Sequence, residues 1–404
     1  MSDYFQNGRI ATLHNLTDRP IGQLEEELSL WRSRRPMALV LPCLYSELEG
    51  PALKHIIDEL AQVPYLEEIV IGLDQANAKQ YRHAKDFFSR LPQLHRILWN
   101  DGPRLREIDA LLHEYGLSPR EPGKGRNVWY CLGYALASGR AKAVALHDCD
   151  ILTYKRDIVA KLFYPLVHPT FDYAFCKGYY YRSANRRLNG RVTRLLVTPL
   201  VRALKKTVGP VDYLDFIDSF RYPLAGEFSM LADVVGSIRI PSDWGLEIGV
   251  LSEVHRRYSD ERICQVEIAD RYDHKHQNLS ENDHSTGLSK MSTDIAKSLF
   301  RKLAINGVVF TQEMLRTIKA SYYRIALDLV DRYYSDAVIN GLELDRHEEE
   351  NAVELFTMCI MEAGERFLNE PMERPFIPSW SRVQSAVPSI LKRVRDAVNA
   401  DNAE

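Results

Sequence analysis

The chain has no apolar run approaching the roughly 18 residues that a membrane-spanning helix needs, and its opening Met-Ser-Asp-Tyr-Phe-Gln is nothing like a signal peptide. A cytoplasmic protein is expected. Cysteine is sparse: the six at positions 43, 131, 149, 176, 264 and 359 form no Cys-x-x-Cys pair, which argues against a disulfide framework and against a structural zinc. They read as thiols in a reducing compartment. Strong net charge is missing too, at −3, so the molecule as a whole is no polyanion binder. What remains is ordinary globular composition, 45% hydrophobic and 26% charged over 404 residues, with length for two or three domains.

Residues 1–35 read as a polar arm with one helix, Gly22 to Arg35, whose Leu24, Leu28 and Trp31 share a face. Strands are then expected at Met37–Leu41, ending at Pro42, at Glu68–Leu73, at Leu94–Trp99 and at Ala143–Leu146, with helices near 50–62, 76–90 and 127–137 between them. Such alternation implies right-handed crossovers and a largely parallel, Rossmann-like sheet. Tyr173–Tyr181 and Ile263–Ala269 read as strands of a second half. The division expected is a donor half at 36–150 and an acceptor half at 151–290, followed by a helical region at 291–404 that looks like an appendage, with Leu315, Ile318, Tyr322, Ile325, Leu329 and Tyr333 on one buried face. His347–Glu350 reads as a solvated helix start.

Ligands of such sheets bind beyond the carboxyl ends of the strands. The most informative segment lies there: Ala143–Leu146 runs through His147 into Asp148-Cys149-Asp150, and strand alternation aims both carboxylates to one side. A hard divalent cation that keeps part of its water needs one or two such carboxylates plus phosphate oxygens. Gly123-Lys124-Gly125 places a lysine just before a helix start, a setting that favours an anion. It is not a P-loop, which has four residues between its glycines and a Ser or Thr after the lysine. Residues 173–211 hold nine Lys or Arg and no acid, and within them Gly190-Arg191-Val192-Thr193 opens a helical stretch where a guanidinium and a hydroxyl can fork onto a phosphate or carboxylate. Tyr179, Tyr180 and Tyr181 nearby keep a nucleic-acid surface open as an alternative. Pro241–Val254 starts a helix that places Glu247 with Val250, Leu251 and Val254, and a carboxylate on an apolar face is costly unless paired or used. His274 and His276 follow the last strand, and either can complete a metal shell begun by Asp150.

Taken in order, Pro42-Cys-Leu-Tyr-Ser-Glu47, Gly123-Lys-Gly125, Asp148-Cys-Asp150, Gly190-Arg-Val-Thr193, Pro223-Leu-Ala-Gly-Glu227, Asp243-Trp-Gly-Leu-Glu-Ile-Gly249 and the histidines at 274 and 276 resemble the glucosyl-3-phosphoglycerate synthases, retaining glycosyltransferases of the GT-A fold related to the mannosylglycerate synthases. The likeness spans about residues 36–280. It implies a nucleotide-sugar donor, UDP-glucose in the first place, Mg2+ or Mn2+ on its diphosphate, and 3-phosphoglycerate as acceptor, a step of compatible-solute synthesis carried out by a soluble homodimer. By the same resemblance Pro42, Leu44, Tyr45, Glu47, Asp74, Gly123, Lys124, Asp148 and Cys149 hold the donor. Gly190, Arg191, Val192, Thr193, Ala225 and Gly226 hold the acceptor, Glu247 and Lys124 serve the reacting centre, and Asp150 with His274, or His276 in its place, ligates the metal. Two departures stand out: Tyr45-Ser46 replaces the family's usual Asn-Glu, and Ala225 replaces the first glycine of its Gly-Gly-Glu. A synthase using a GDP-sugar or free glycerate is therefore an alternative. A sugar-phosphate nucleotidylyltransferase should have a glycine-rich loop where Pro42–Ser46 stands, and a non-enzymatic anion or nucleic-acid binding module leaves Asp148, Asp150 and Glu247 without a task.

Overall fold

The computed structural model describes residue 6 and residues 8–119, 122–241, 244–274, 287–371 and 376–403. In chain order its elements are β1 (Ala11–Leu13), α1 (Ile21–Trp31), β2 (Met37–Leu44), α2 (Pro51–Leu60), β3 (Leu66–Asp74), α3 (Ala78–Phe88), β4 (His95–Trp99), α4 (Pro103–Glu114), α5 (Lys124–Ser138), β5 (Ala143–Leu146), α6 (Asp157–Val167) and β6 (Phe175–Tyr180). A hairpin of β7 (Ser183–Ala184) and β8 (Arg187–Leu188) leads through a π-helical turn, Val192–Val197, into α7 (Thr198–Val208) and α8 (Asp212–Asp218). Then come β9 (Phe228–Leu231), α9 (Ala232–Ser237), α10 (Leu246–Arg257), β10 (Ile263–Ala269), α11 (Gly287–Ile305), α12 (Gln312–Ile339), α13 (Arg346–Asn369), α14 (Trp380–Ala386) and α15 (Ile390–Ala403).

Eight strands form one sheet in the order β1-β10-β6-β9-β5-β2-β3-β4. Only β9 runs against its neighbours, β5 and β6. Because it is reversed, the start of β9 lies at the same edge as the ends of the parallel strands, so Glu227 just ahead of it arrives where β5 and β6 finish. Alternate residues of β2 feed cores on opposite faces: Ala38 and Val40 join one cluster, Met37, Leu39 and Leu41 the other. A strand buried on both sides reads as a continuous apolar run, which is why this one is legible in sequence.

Several expectations need correction. The arm at 1–35 is more than one helix, since Ala11–Leu13 pairs in parallel with Cys264–Val266 as an edge strand. Its helix stops at Trp31 rather than Arg35, as Pro36 disfavours helical geometry in the residue before it. β2 does not end at Pro42 but runs to Leu44; pairing with β5 stops at Val40↔Leu146, so from there β2 has a neighbour on one side only, where a missing N–H is tolerated. α5 starts at Lys124 instead of Asn127, its first helical bond running from Asn127 N to the Gly123 carbonyl (3.1 Å). α10 starts at Leu246, after a turn at Trp244–Gly245, and not at Pro241.

The carboxy-terminal helices are no appendage. Trp380 stacks on Trp129 of α5 (4.0 Å between centroids) and donates to its carbonyl (2.9 Å), over Gly133, where a Cβ would come within 2.1 Å of the indole. α15 closes the exposed edge of the sheet: the Asn402 amide accepts from Ile97 N (3.0 Å) and donates to Ile97 O (2.8 Å), occupying backbone groups that would otherwise template further pairing. On α12, Leu315, Ile318, Tyr322 and Leu329 are buried as expected, with Ile325 and Tyr333 partly so.

Candidate active site

The ends of β5, β6 and β10, the start of β9 and the first turns of α5 and α10 converge on one cluster of charges. Lys124, first residue of α5, lies 2.7 Å from Asp148 Oδ1 and 3.2 Å from Glu247 Oε1, so the lysine bridges the carboxylate after β5 and the one that opens α10. All three side chains are part-buried. α5 reaches this position because it packs tightly on β3: the Asn127 amide donates to Gly72 O (2.9 Å), and a Cβ on Gly72 would fall 1.7 Å from the Asn127 oxygen. Burial works against the ionised Asp148 carboxyl, but the charge and hydrogen bond of Lys124 outweigh it and hold the group below the ordinary carboxylate range. The Asp148 and Glu247 charges in turn outweigh burial at Lys124 and raise its pKa. The chain approaches Asp148 closely at Gly226, where a Cβ would stand 2.4 Å from Asp148 Oδ2, so a side chain there would occupy the carboxylate's place.

Asp150 behaves differently. Burial, then the Asp148 charge, push its carboxyl up to about 7 although Lys124 pulls the other way. Its Oδ1 is buried with no hydrogen-bond partner among the described residues. His274 is brought beside it by an antiparallel bridge between Ile151 and His274, and the imidazole is near enough for its charge to lower the Asp148 pKa. Two hard oxygen ligands, one of them unpartnered, and an adjacent imidazole fit a divalent cation that keeps water and takes phosphate oxygens. Among the described residues no three His, Cys, Asp or Glu side chains form a complete ligand set by themselves. His276 and Asp243 lie outside the described residues. If Asp150 ligates the ion it must be ionised, so apparent Mg2+ affinity should be full above pH ~7 and weaken by up to about tenfold per pH unit below it. Titration calorimetry across that range checks this, and an affinity flat with pH would remove Asp150 from the shell.

Next to the carboxylates lies a buried layer in which Lys177, Tyr222 and Tyr272, unlike Glu227, are not expected from the sequence. Glu227 is fully buried, its carboxyl pushed up to about 7 by burial and then by Asp148, and it accepts from Tyr272 Oη (2.5 Å). Lys177 of β6, also fully buried and pushed down to about 8 by burial, donates to the Ala225 carbonyl (2.5 Å). Tyr272 stacks on Tyr180 (3.7 Å), Tyr180 packs on Tyr222 (4.9 Å), and Tyr222 Oη would stand 3.3 Å from a Cβ at Gly190. An aromatic wall therefore joins His274, 5.7 Å from the Tyr272 ring, to the Gly190–Thr193 segment. Tyr180 is buried in this packing, Tyr179 is buried on the other face of β6 against His14, and only Tyr181 is exposed, which removes the stacking platform that a nucleic-acid surface requires.

The remaining expected residues fall as follows. Leu44 is exposed at the end of β2, Tyr45 Oη meets His83 Nδ1 (3.0 Å), and the Glu47 charge acts on Asp150. Asp74 ends β3, buried against the Asn100 amide (2.8 Å), and burial pushes its carboxyl up to about 6. Cys149 turns away into the core beside Cys43, so its thiol is not part of the cluster, and Ala225 is fully buried with its carbonyl taken by Lys177. At the basic segment Thr193 Oγ1 and Arg182 Nε are buried without a hydrogen-bond partner among the described residues, while Arg191 is paired with Glu348 and Glu349 of α13. Those two glutamates overturn the reading of 347–350 as only a solvated helix start.

The chain as a whole is similar to several known proteins. No family model matches the chain. It is 45% identical over 404 residues to a glucosyl-3-phosphoglycerate synthase of Persephonella marina, covering the whole of both chains, and 39% identical over 407 residues to one of Methanococcoides burtonii, covering 100% of this chain and 98% of that one. Among solved structures it resembles the Mycobacterium tuberculosis glucosyl-3-phosphoglycerate synthase in complex with Mn2+, UDP-glucose and phosphoglyceric acid, with a TM-score of 0.54 and 21% identity over 75% of this chain and 89% of that one. The structural likeness shows the fold, the GT-A glycosyltransferase fold that the motifs implied.

Proposed function

The chain belongs to the glucosyl-3-phosphoglycerate synthase family and is a glycosyltransferase, and from that premise we propose that it moves glucose from UDP-glucose to 3-phosphoglycerate with retention at the anomeric carbon. The observation that carries this reading is the shared lysine: one cation between Asp148 and Glu247, at the strand ends where a donor diphosphate and a reacting sugar must meet. Mg2+ or Mn2+ held by Asp150 with His274 would neutralise the leaving diphosphate. In this reading Lys124 exchanges a protein carboxylate for phosphate oxygen when the donor enters. That exchange frees Glu247 Oε1 to orient the acceptor hydroxyl, and the departing phosphate takes the proton. Pro42–Glu47 and Asp74 would line the nucleoside side, and closure around both substrates raises their effective concentration.

On the acceptor side, Gly190–Thr193 opens a helical run, and the orphaned Thr193 hydroxyl and Arg182 Nε supply buried donors beside Arg191. Losing one charge-assisted contact there should cost roughly tenfold to a hundredfold. Arg191→Ala is therefore expected to raise KM for 3-phosphoglycerate by about that factor with KM for UDP-glucose nearly fixed, and to erase most of the preference over free glycerate. Two-substrate kinetics check both, and retained selectivity would move the phosphate site elsewhere.

Release of UDP on mixing the protein with UDP-glucose, Mg2+ and 3-phosphoglycerate tests the function itself. Turnover only with a GDP-sugar, or equally well with glycerate, would favour the alternative synthases instead. Cytoplasmic residence belongs to the same proposal, supported by six buried free thiols and by the lack, among the described residues, of any helix long and apolar enough to cross a membrane. So does a homodimer, supported by exposed Tyr334, Val338 and Ile339 on α12.

A further inference from the structure

The basic segment is neutralised from more than a hundred residues away. Arg191 donates through Nε to Glu349 Oε1 (2.6 Å) and through Nη2 to Glu348 Oε2 (2.8 Å), while Arg194 donates through Nη1 to the other Glu349 oxygen (2.7 Å). Both glutamates stand in the first turn of α13, which Asp345 caps by accepting from His347 N and Glu348 N. They are not equivalent. Glu349 has 2% of its side chain exposed and bridges two guanidiniums. One of these, Arg194, is fixed further by the carbonyls of Asn189 (2.9 Å) and Leu188 (3.3 Å) and lies over the Tyr333 ring. Glu348 has 54% of its side chain exposed, and its ion pair is with Arg191.

Two arginines and two glutamates sum to no net charge, so a phosphate arriving at Arg191 meets a guanidinium whose charge is already balanced. The two partners differ in how readily they yield. A buried carboxylate shared by two guanidiniums is costly to unpair, whereas an exposed ion pair holds weakly and its carboxylate can swing into water. A phosphate dianion offers Arg191 a stronger acceptor than a carboxylate.

We propose that Glu348 is a displaceable counter-ion of the acceptor site: it holds Arg191 until the acceptor phosphate replaces it, and so sets how tightly the phosphorylated acid binds. Glu349 is the positioning residue that keeps Arg191 and Arg194 aligned throughout. The carboxy-terminal helices thereby take part in acceptor recognition. This inference rests on reading Gly190–Thr193 as the acceptor site.

Glu348→Gln keeps the shape and removes the charge at an exposed position, so the variant should fold normally. It should lower KM for 3-phosphoglycerate by about three- to tenfold, with kcat, KM for UDP-glucose and any KM for free glycerate unmoved. Glu349→Gln should move KM for 3-phosphoglycerate the other way. If Glu348→Gln leaves that constant unchanged or raises it while Arg191→Ala weakens the acceptor, the counter-ion role is overturned and the acceptor assignment stands. If Arg191→Ala also leaves it unchanged, the acceptor assignment itself has failed.

Discussion

Asp150→Ala should lower glucosyl transfer by about a thousandfold or more, because losing a metal carboxylate forfeits several kcal/mol of charge neutralisation on the departing diphosphate. The variant should stay folded. In the wild type the Asp150 carboxyl is raised to about 7 by burial and by Asp148, so its pKa is higher folded than unfolded. The contribution it makes to stability is then present at low pH and lost as pH rises through 7. At about pH 8 and without metal the alanine variant should melt no lower than the wild type, which separates lost chemistry from lost structure. Added Mg2+ should raise the wild-type Tm and leave that of the variant nearly fixed. A variant that turns over normally, or that shows the same Mg2+-dependent Tm shift, would place the ion elsewhere.

Glu247→Gln is the second large effect. Its carboxylate is 3.2 Å from Lys124 Nζ and lies at the start of α10. A group that acts on the reacting atoms contributes to the transition state more than to substrate binding, so kcat should fall roughly a hundred- to a thousandfold. KM for UDP-glucose should change little, and Lys124 would keep its pairing with Asp148. Steady-state rates over a range of UDP-glucose concentrations, with the acceptor saturating, give kcat and the donor KM together. A loss that appears mainly in donor affinity would make Glu247 a partner of Lys124 and nothing more.

What was legible in the sequence follows from how each feature is encoded. β2, β3 and β5 are buried on both faces and stand out as apolar runs, and Asp148-Cys-Asp150 is visible because it directly follows one of them. The four residues of β9 carry no sign of their direction. Only the reversed pairing brings Glu227 to the same edge as Asp148, so its burial there and its bond with Tyr272 could not be read from the chain. Tyr180 was open to misreading for a similar reason, since the parallel pairing of β6 with β10 is what brings Tyr272, just past β10, onto its ring. Glu348 and Glu349 show the limit most clearly. An acidic run at a helix start is ordinarily solvated, and nothing local distinguishes the 2% exposed Glu349 from its neighbours. Its burial depends on α13 packing against the turn that carries Arg191 and Arg194, a contact between segments far apart in sequence.

The most direct measurement is proton NMR of a single mixture of the protein, UDP-glucose, Mg2+ and 3-phosphoglycerate. UDP and a new α-linked glucoside of 3-phosphoglycerate should accumulate in equal amounts, and neither should form when Mg2+ is chelated or either substrate is left out. A β-linked product, free glucose in place of the glucoside, or full transfer in excess chelator would contradict the metal-assisted, retaining transfer assigned to Lys124, Asp148, Asp150 and Glu247.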